Sequence, residues 1–335
     1  MPLSIACLVV ALLCLLQAAA PPAEEATYTN PIGDLRMGDP FVARFGDRYV
    51  LTGTTHANRG FAAWTSEDLL DWTPAGMLLE REEDGWADGA YWAPELFAYR
   101  DRYWLAYSAR SVRAEGTPRF RLALAVADAP TGPYTDVATP WFDDGRAAID
   151  AHVFIDGDTP YLFFARVGQR DDDGKLVGTI WGVELAADLS GPVGEPVQCV
   201  VPEQPWELPA DGTSICNEGP FVFREGERYF MLFSAGHWAE PNYAIGYAVA
   251  EHPLGPWTKP ENNPLMGTGM TPGVSGPGHC SLTVGPAGDR IVVYHAHENP
   301  DQPRGPRTVN LDRLHVRPDG TLDIAGPTRT PQPKP

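Results

Sequence analysis

Residues 39–51 read DPFVARFGDRYVL: an acidic residue, an apolar strand, a tight Gly46-Asp47 turn and a second strand carrying an aromatic residue. The same layout returns as ELFAYRDRYWLAYS (95–108), DAHVFIDGDTPYLFFA (150–165), EGPFVFREGERYFMLFSA (218–235) and HCSLTVGPAGDRIVVYHA (279–296). The opening residues Asp39, Glu95, Asp150, Glu218 and His279 lie 55 to 68 positions apart. Each pair of runs reads as a β-hairpin, because Gly46-Asp47 and Gly157-Asp158 supply the positive-φ residues that a short turn needs.

A second half-repeat follows each of the first four hairpins: FAAWTSEDLLDW (61–72), LALAVADAPTGPY (122–134), IWGVELAADLSGP (180–192) and AIGYAVAEHPLGPW (244–257). Each is an alternating strand running into a turn rich in Asp, Pro and Gly, then an aromatic residue or proline entering another strand. Two hairpins in about 60 residues make one propeller blade. Stretches of 10–15 residues with helical periodicity are missing between the strands, which disfavours a βαβ architecture. The expected fold is therefore all-β, a five-bladed β-propeller. It is read as a single propeller domain over 21–335, with 326–335 as an extended tail. The segment near Tyr28–Ile32 and the last strands (308–325) are expected to close the ring.

Composition agrees. The 335 residues are 43% hydrophobic and 21% charged, a globular composition, and 34 Gly with 34 Pro predict many short turns. Twenty-five basic against 44 acidic residues give a formal charge of −19, which argues against nucleic acid or an anionic membrane as partner. The apolar run IACLVVALLCLL (5–16) is too short to span a bilayer and is followed by Ala18-Ala19-Ala20. Residues 1–20 are expected to be a signal peptide, and the protein secreted or periplasmic. No other segment resembles a membrane span. Cys199, Cys216 and Cys280 would remain, allowing one disulfide at most or buried free thiols.

In a propeller the innermost strand of each blade lines the central channel, so the opening residues should ring one mouth of it. Converging carboxylates repel, and one of them must then be held protonated at neutral pH. A pair of carboxyl groups with separated pKa values is the equipment for glycosidic bond hydrolysis. The reading excludes several other chemistries. GxSxG, HExxH, Walker and GxGxxG patterns are all missing. His295-Ala296-His297-Glu298 puts its two histidines on one face of a strand with the glutamate opposed, and reads as the end of a fifth-blade strand.

These residues also carry a resemblance. Asn30-Pro31-Ile32 with Gly38-Asp39-Pro40-Phe41-Val42 resembles the opening of glycoside hydrolase family 43. So do Tyr91-Trp92-Ala93-Pro94-Glu95, Ile149-Asp150-Ala151-His152-Val153-Phe154, Asn217-Glu218-Gly219-Pro220 and Gly278-His279-Cys280-Ser281. The matches run in family order over about 28–325. The resemblance implies an inverting hydrolase acting on arabinose- or xylose-containing plant polysaccharides. It implies Asp39 as general base, Glu218 as general acid and Asp150 as the carboxylate that raises the pKa of Glu218 and holds it in place. Arg36 or backbone donors are expected to keep Asp39 ionised. Glu95 stands where the family more often has Asp, and is expected to support the site rather than act. Trp92 is a candidate sugar platform, and Arg307, with Arg304 as competitor, a contact for sugar hydroxyls. His279 is a candidate ligand for an axial water or cation. No cofactor is expected to be required, and a structural Ca2+ in the channel is the expectation if a cation binds.

Within this class α-L-arabinofuranosidase or arabinanase is expected first and β-xylosidase second, acting as a monomer on an oligo- or polysaccharide. The alternative is a non-catalytic carbohydrate-binding propeller. A retaining fructan hydrolase is disfavoured because Gly38-Asp39-Pro40-Phe41 and Glu218-Gly219 depart from its motifs. Segments 167–179 and 200–216 are the expected determinants of exo or endo action.

Overall fold

Alternation decides the packing. In Arg48–Thr54, Leu51 faces one way and Val50 the other; in Arg290–His297, Ile291 and Val293 oppose Val292 and Tyr294. Period-2 strands with both faces apolar must be covered on both sides. In the computed structural model, which describes residues 26–115, 118–208 and 213–335, this is met by packing sheets face to face around one axis. Residues 1–20, the expected signal peptide with Cys7 and Cys14, lie outside the described residues.

The blades follow the chain. Blade 1 is Gly38–Phe45, Arg48–Thr54, Gly60–Ser66 and Thr73–Glu80. Blade 2 is Ala87–Tyr99, Arg102–Ser111, Phe120–Ala127 and Thr135–Ala138. Blade 3 is Ala148–Asp156, Thr159–Arg170, Leu176–Leu185 and Pro192–Val200. Blade 5 is Gly278–Val284, Arg290–His297, Arg307–Val316 and Leu322–Ile324. Blade 4 has three full strands, Ser214–Glu225, Arg228–Gly236 and Ala244–Ala250. Its outer edge is reduced to single bridges, Val249 to Thr258 and Ile245 to Met266. Neighbouring strands within each blade are antiparallel, as the hairpin turns require; Gly46 and Gly157 carry φ of 67° and 61°.

Five apolar clusters fill the five blade interfaces, for example Phe41, Phe61, Tyr91 and Tyr107 between blades 1 and 2. Val42, Leu51, Val293 and Leu311 lie between blades 5 and 1. That last cluster closes the ring, but not by exchanging strands between the termini. Blade 5 takes all its strands from the C-terminal part of the chain, and the N-terminal segment lies along Arg307–Val316. Asn30 exchanges two hydrogen bonds with the Leu311 backbone, at 2.7 and 2.8 Å, and the Ile32 N–H donates to the Val309 carbonyl. Thr27–Tyr28 pairs with Gln332–Pro333 of the tail.

One local device repeats in every inner strand. The register slips near its start, and the slipped residue has positive φ: Asp39 (53°), Ala93 (44°), Asp150 (59°), Gly219 (57°) and His279 (46°). Only one of the five is glycine, so four side chains are held in a sparsely populated backbone region. At four of them the N–H is bound by a side chain of the preceding blade. Ala93 donates to Thr54 (3.0 Å), Gly219 to Asp150 (3.0 Å), His279 to Ser234 (2.7 Å) and Asp39 to His295 Nδ1 (3.1 Å). The last of these links blade 5 to blade 1, so the lock runs across the closure.

Candidate active site

The slipped residues define the mouth of the channel and correct one expectation. Asp39, Asp150 and His279 occupy the slipped position itself, and Glu218 immediately precedes it. Glu95 does not belong with them: Ala93 is its blade's slipped residue, and Glu95 sits two positions further in. There it is level with His152, Phe41, Phe221 and Ser281. Glu95 is buried and paired with His152 Nδ1 at 2.7 Å, while His152 Nε2 meets the Val222 carbonyl and the His152 ring packs on Phe221. Burial raises the pKa of Glu95. The mouth therefore carries three carboxyl groups, and a second layer beneath it carries a buried Glu95–His152 pair.

The three carboxyl groups have different surroundings. Asp39 accepts from Thr54 Oγ1 (2.5 Å) and from Arg307 Nη1 (3.0 Å), and faces His279 Nδ1 (3.4 Å) and His295 Nδ1 (3.7 Å). Burial alone would push its pKa up, but the Arg307 guanidinium reverses this and holds the carboxyl well below the usual range. Burial pushes both histidines toward their neutral forms, so the ionised state of Asp39 is owed to Arg307 and Thr54. Arg36, expected to do this, instead pairs with Glu298 at 2.6 Å at the surface.

Asp150 is buried and accepts from Gly219 N–H. Its pKa is raised far above the ordinary value, by burial first and then by the charges of Glu218 and Asp39. Glu218 accepts from the Tyr243 hydroxyl at 2.8 Å. Burial raises it to about 7, with Asp39 adding and Tyr243 and Arg307 opposing. With both carboxyl groups raised, Asp150 and Glu218 together hold at least one proton at neutral pH.

A cavity of about 680 Å³ opens over these groups. All three carboxyl groups line it, Asp39 and Glu218 partly accessible and Asp150 more deeply buried. Trp92 lines it, tilted against Phe120 at 4.6 Å, while its neighbour Tyr91 turns into the core against Tyr107. Arg307 lines it too, its guanidinium 4.7 Å over the Trp238 ring and close above Gly38, where any side chain would collide with it. Among the described residues Arg304 is not part of this lining. His56 is exposed beside the first blade. Segment 167–179 is the tip of a hairpin, tightened by the Asp171 turn, whose Val167, Leu176 and Val177 form one apolar wall. Its strand Leu176–Gly178 runs parallel to Ser214–Cys216, tying blades 3 and 4 together at the mouth.

Sequence reasoning missed Thr54, Tyr243, His295 and Trp238. His295 was visible only as part of a metal-like pattern. Its Nδ1 accepts the Asp39 N–H, and His297 is instead engaged by Ser275 and the Trp238 carbonyl. The three described cysteines are free. Among the described residues, no group of three or more His, Cys, Asp or Glu side chains is arranged to hold a metal, and no helix is long and apolar enough to cross a membrane.

The profile of glycosyl hydrolases family 43 matches residues 28–322. The chain belongs to this family, and its chemistry is glycoside hydrolysis. It is 43% identical to a thermostable family-43 glycoside hydrolase of known structure, with a TM-score of 0.87 over 92% of this chain and 99% of that one. It is 27% identical to a β-D-galactofuranosidase of Aspergillus niger, covering 88% of this chain and 83% of that protein. It is also 26% identical to an extracellular exo-α-(1→5)-L-arabinofuranosidase of Streptomyces avermitilis, covering 92% of this chain and 66% of the relative. The chain thus spans about two thirds of the length of the Streptomyces enzyme.

Proposed function

We propose that the protein is a secreted inverting glycosidase of arabinose- or xylose-containing plant polysaccharides, with α-L-arabinofuranosidase or arabinanase activity. One observation carries the chemistry: a carboxylate kept ionised by an arginine and a carboxyl kept protonated near neutrality open onto the same cavity. Asp39 is the general base that takes a proton from water as the water attacks the anomeric carbon. Glu218 is the general acid that delivers its proton to the departing glycosidic oxygen. Asp150, buried and sharing the pair's proton, keeps Glu218 from ionising alone and anchors the Gly219 amide beside it. This is the two-carboxylate division of an inverting mechanism, in which water must fit between acid and base.

The sugar preference rests on the relatives. The Aspergillus, Streptomyces and Humicola insolens proteins are named for galactofuranoside or arabinofuranoside hydrolysis. These two furanoses share a ring configuration, which favours a furanoside in the cavity. Export is supported by the 5–16 run and by the Streptomyces relative, which is named extracellular.

The test is hydrolysis of sugar-beet arabinan, arabinoxylan, and aryl arabinofuranosides and xylosides. Preference for the arabinofuranoside and arabinan is expected. Preference for the xyloside would move the assignment to β-xylosidase, and binding without release from any of them would make the propeller a carbohydrate-binding module.

A further inference from the structure

Glu218 is faced by Asp150 from blade 3, Asp39 from blade 1 and Arg307 from blade 5, with the Cys216 thiol two residues earlier on its own strand. Among the described residues its side-chain hydrogen bond comes from Tyr243, the residue leading into Ala244–Ala250. Three features fix that phenol. Tyr243 is completely buried, and its ring lies parallel to His295 at 10° and 5.6 Å. Gly278, opening the inner strand of blade 5, leaves the space: a Cβ there would come within 2.0 Å of the Tyr243 ring. The hydroxyl is placed as donor toward Glu218 Oε1, and burial with the nearby carboxyl groups keeps the phenol protonated so that it has a proton to give.

We propose that Tyr243 is a positioning residue that commits Oε1 of Glu218 as an acceptor, leaving Oε2 as the oxygen that carries the proton to the glycosidic oxygen. This rests on Glu218 being the proton donor. A carboxylic acid has one proton and two oxygens. A fixed donor on one oxygen decides where the proton resides and, through the planar carboxyl, its direction. His295 joins the device to the base: its Nδ1 accepts the Asp39 amide while its ring backs Tyr243, so one stacked pair of rings positions groups on both sides of the cavity. With Nδ1 committed as acceptor, the His295 proton lies on Nε2, which has no hydrogen-bond partner among the described residues.

Replacing Tyr243 by Phe keeps the stack and removes only the donor. A carboxylate that loses a donor is less stable, so Glu218 should stay protonated to higher pH. The alkaline limb of the kcat/KM profile should move up by roughly one pH unit, as should the 13C titration of the Glu218 carboxyl. With a poorly activated aryl arabinofuranoside, kcat should fall about tenfold while KM changes little, since the proton is no longer confined to one oxygen. A limb and a carboxyl titration that both stay in place would overturn the proposal and reduce Tyr243 to packing. If the Phe variant fails to fold, 3-fluorotyrosine at 243, a more acidic and stronger donor, should move both readouts to lower pH; no movement again overturns it. The acid assignment is tested separately. A Glu218→Gln rate loss independent of leaving group would sink that assignment, whereas the carboxyl titration of the Tyr243 variant reads the hydrogen bond directly.

Discussion

The two sides of the cavity are built on the same backbone device and charged to opposite ends. Asp39 on blade 1 and Asp150 on blade 3 both sit at a slipped, positive-φ position, with φ of 53° and 59°. Burial pushes the pKa of each upward. Yet Asp39 is held far below the ordinary carboxylate range, while Asp150 and its neighbour Glu218 are lifted above it. The difference lies in the neighbours. Asp39 has a guanidinium and a hydroxyl on its oxygens; Asp150 has another carboxyl beside it and a single amide N–H. Burial sets how much an ion costs, and the partner then decides whether it survives.

The strongest way to break the comparison is to remove the charged member. Asp39→Asn should lower kcat by about 10³–10⁴-fold, the upper part of the range for a lost general base, with KM little changed. Steady-state kinetics on an aryl arabinofuranoside check this, and a loss under tenfold would place the base elsewhere. Glu218→Gln should cost about 10²–10³-fold on arabinan and no more than about tenfold on substrates with good leaving groups, which need less protonation.

Arg307→Gln addresses the contrast itself. Without the guanidinium Asp39 should titrate at higher pH, so the acid limb of kcat/KM should move up and activity at neutral pH fall roughly 10- to 100-fold. The sign for stability follows from the same contrast. Asp39, with a lowered folded pKa, contributes stability that is present above its unfolded pKa and lost as pH falls through the folded one. Glu218, raised from 4.5 to about 7, contributes stability that is present at low pH and lost as pH rises through that interval. Glu218→Gln should therefore raise Tm by a few degrees at pH 8 and by less at pH 5.

The smallest effect belongs to the layer below. Glu95→Leu leaves His152 Nδ1 without its partner and should cost about 1–3 kcal/mol in urea unfolding, with kcat changed less than about twofold. A large catalytic loss would return Glu95 to the mouth.

The same comparison bears on which positions can be read from sequence. Asp39, Asp150, Glu218 and His279 were legible because the hairpin repeat places them at equivalent points, and Trp92 and Arg307 because they stand in family motifs. Aligning the repeats by acidic residue rather than by backbone sets Glu95 one layer too high. The position equivalent to Asp39 is Ala93, whose side chain gives no chemical signal. Thr54 and Tyr243 escaped because they come from second strands or loops, and hydroxyl residues are common there. Arg36 is three residues from Asp39 and drew attention, while Arg307 reaches it across the ring closure from 268 positions away. Proximity in sequence misleads in a propeller, where the first and last blades touch.

The central claim is the division of labour between an ionised Asp39 and a protonated Glu218. Proton NMR of the first anomer released from an aryl arabinofuranoside, read before mutarotation, tests it most directly. The account predicts inverted configuration at the anomeric carbon. Retained configuration would mean that a carboxylate attacks the sugar itself, and would contradict the roles given to both residues.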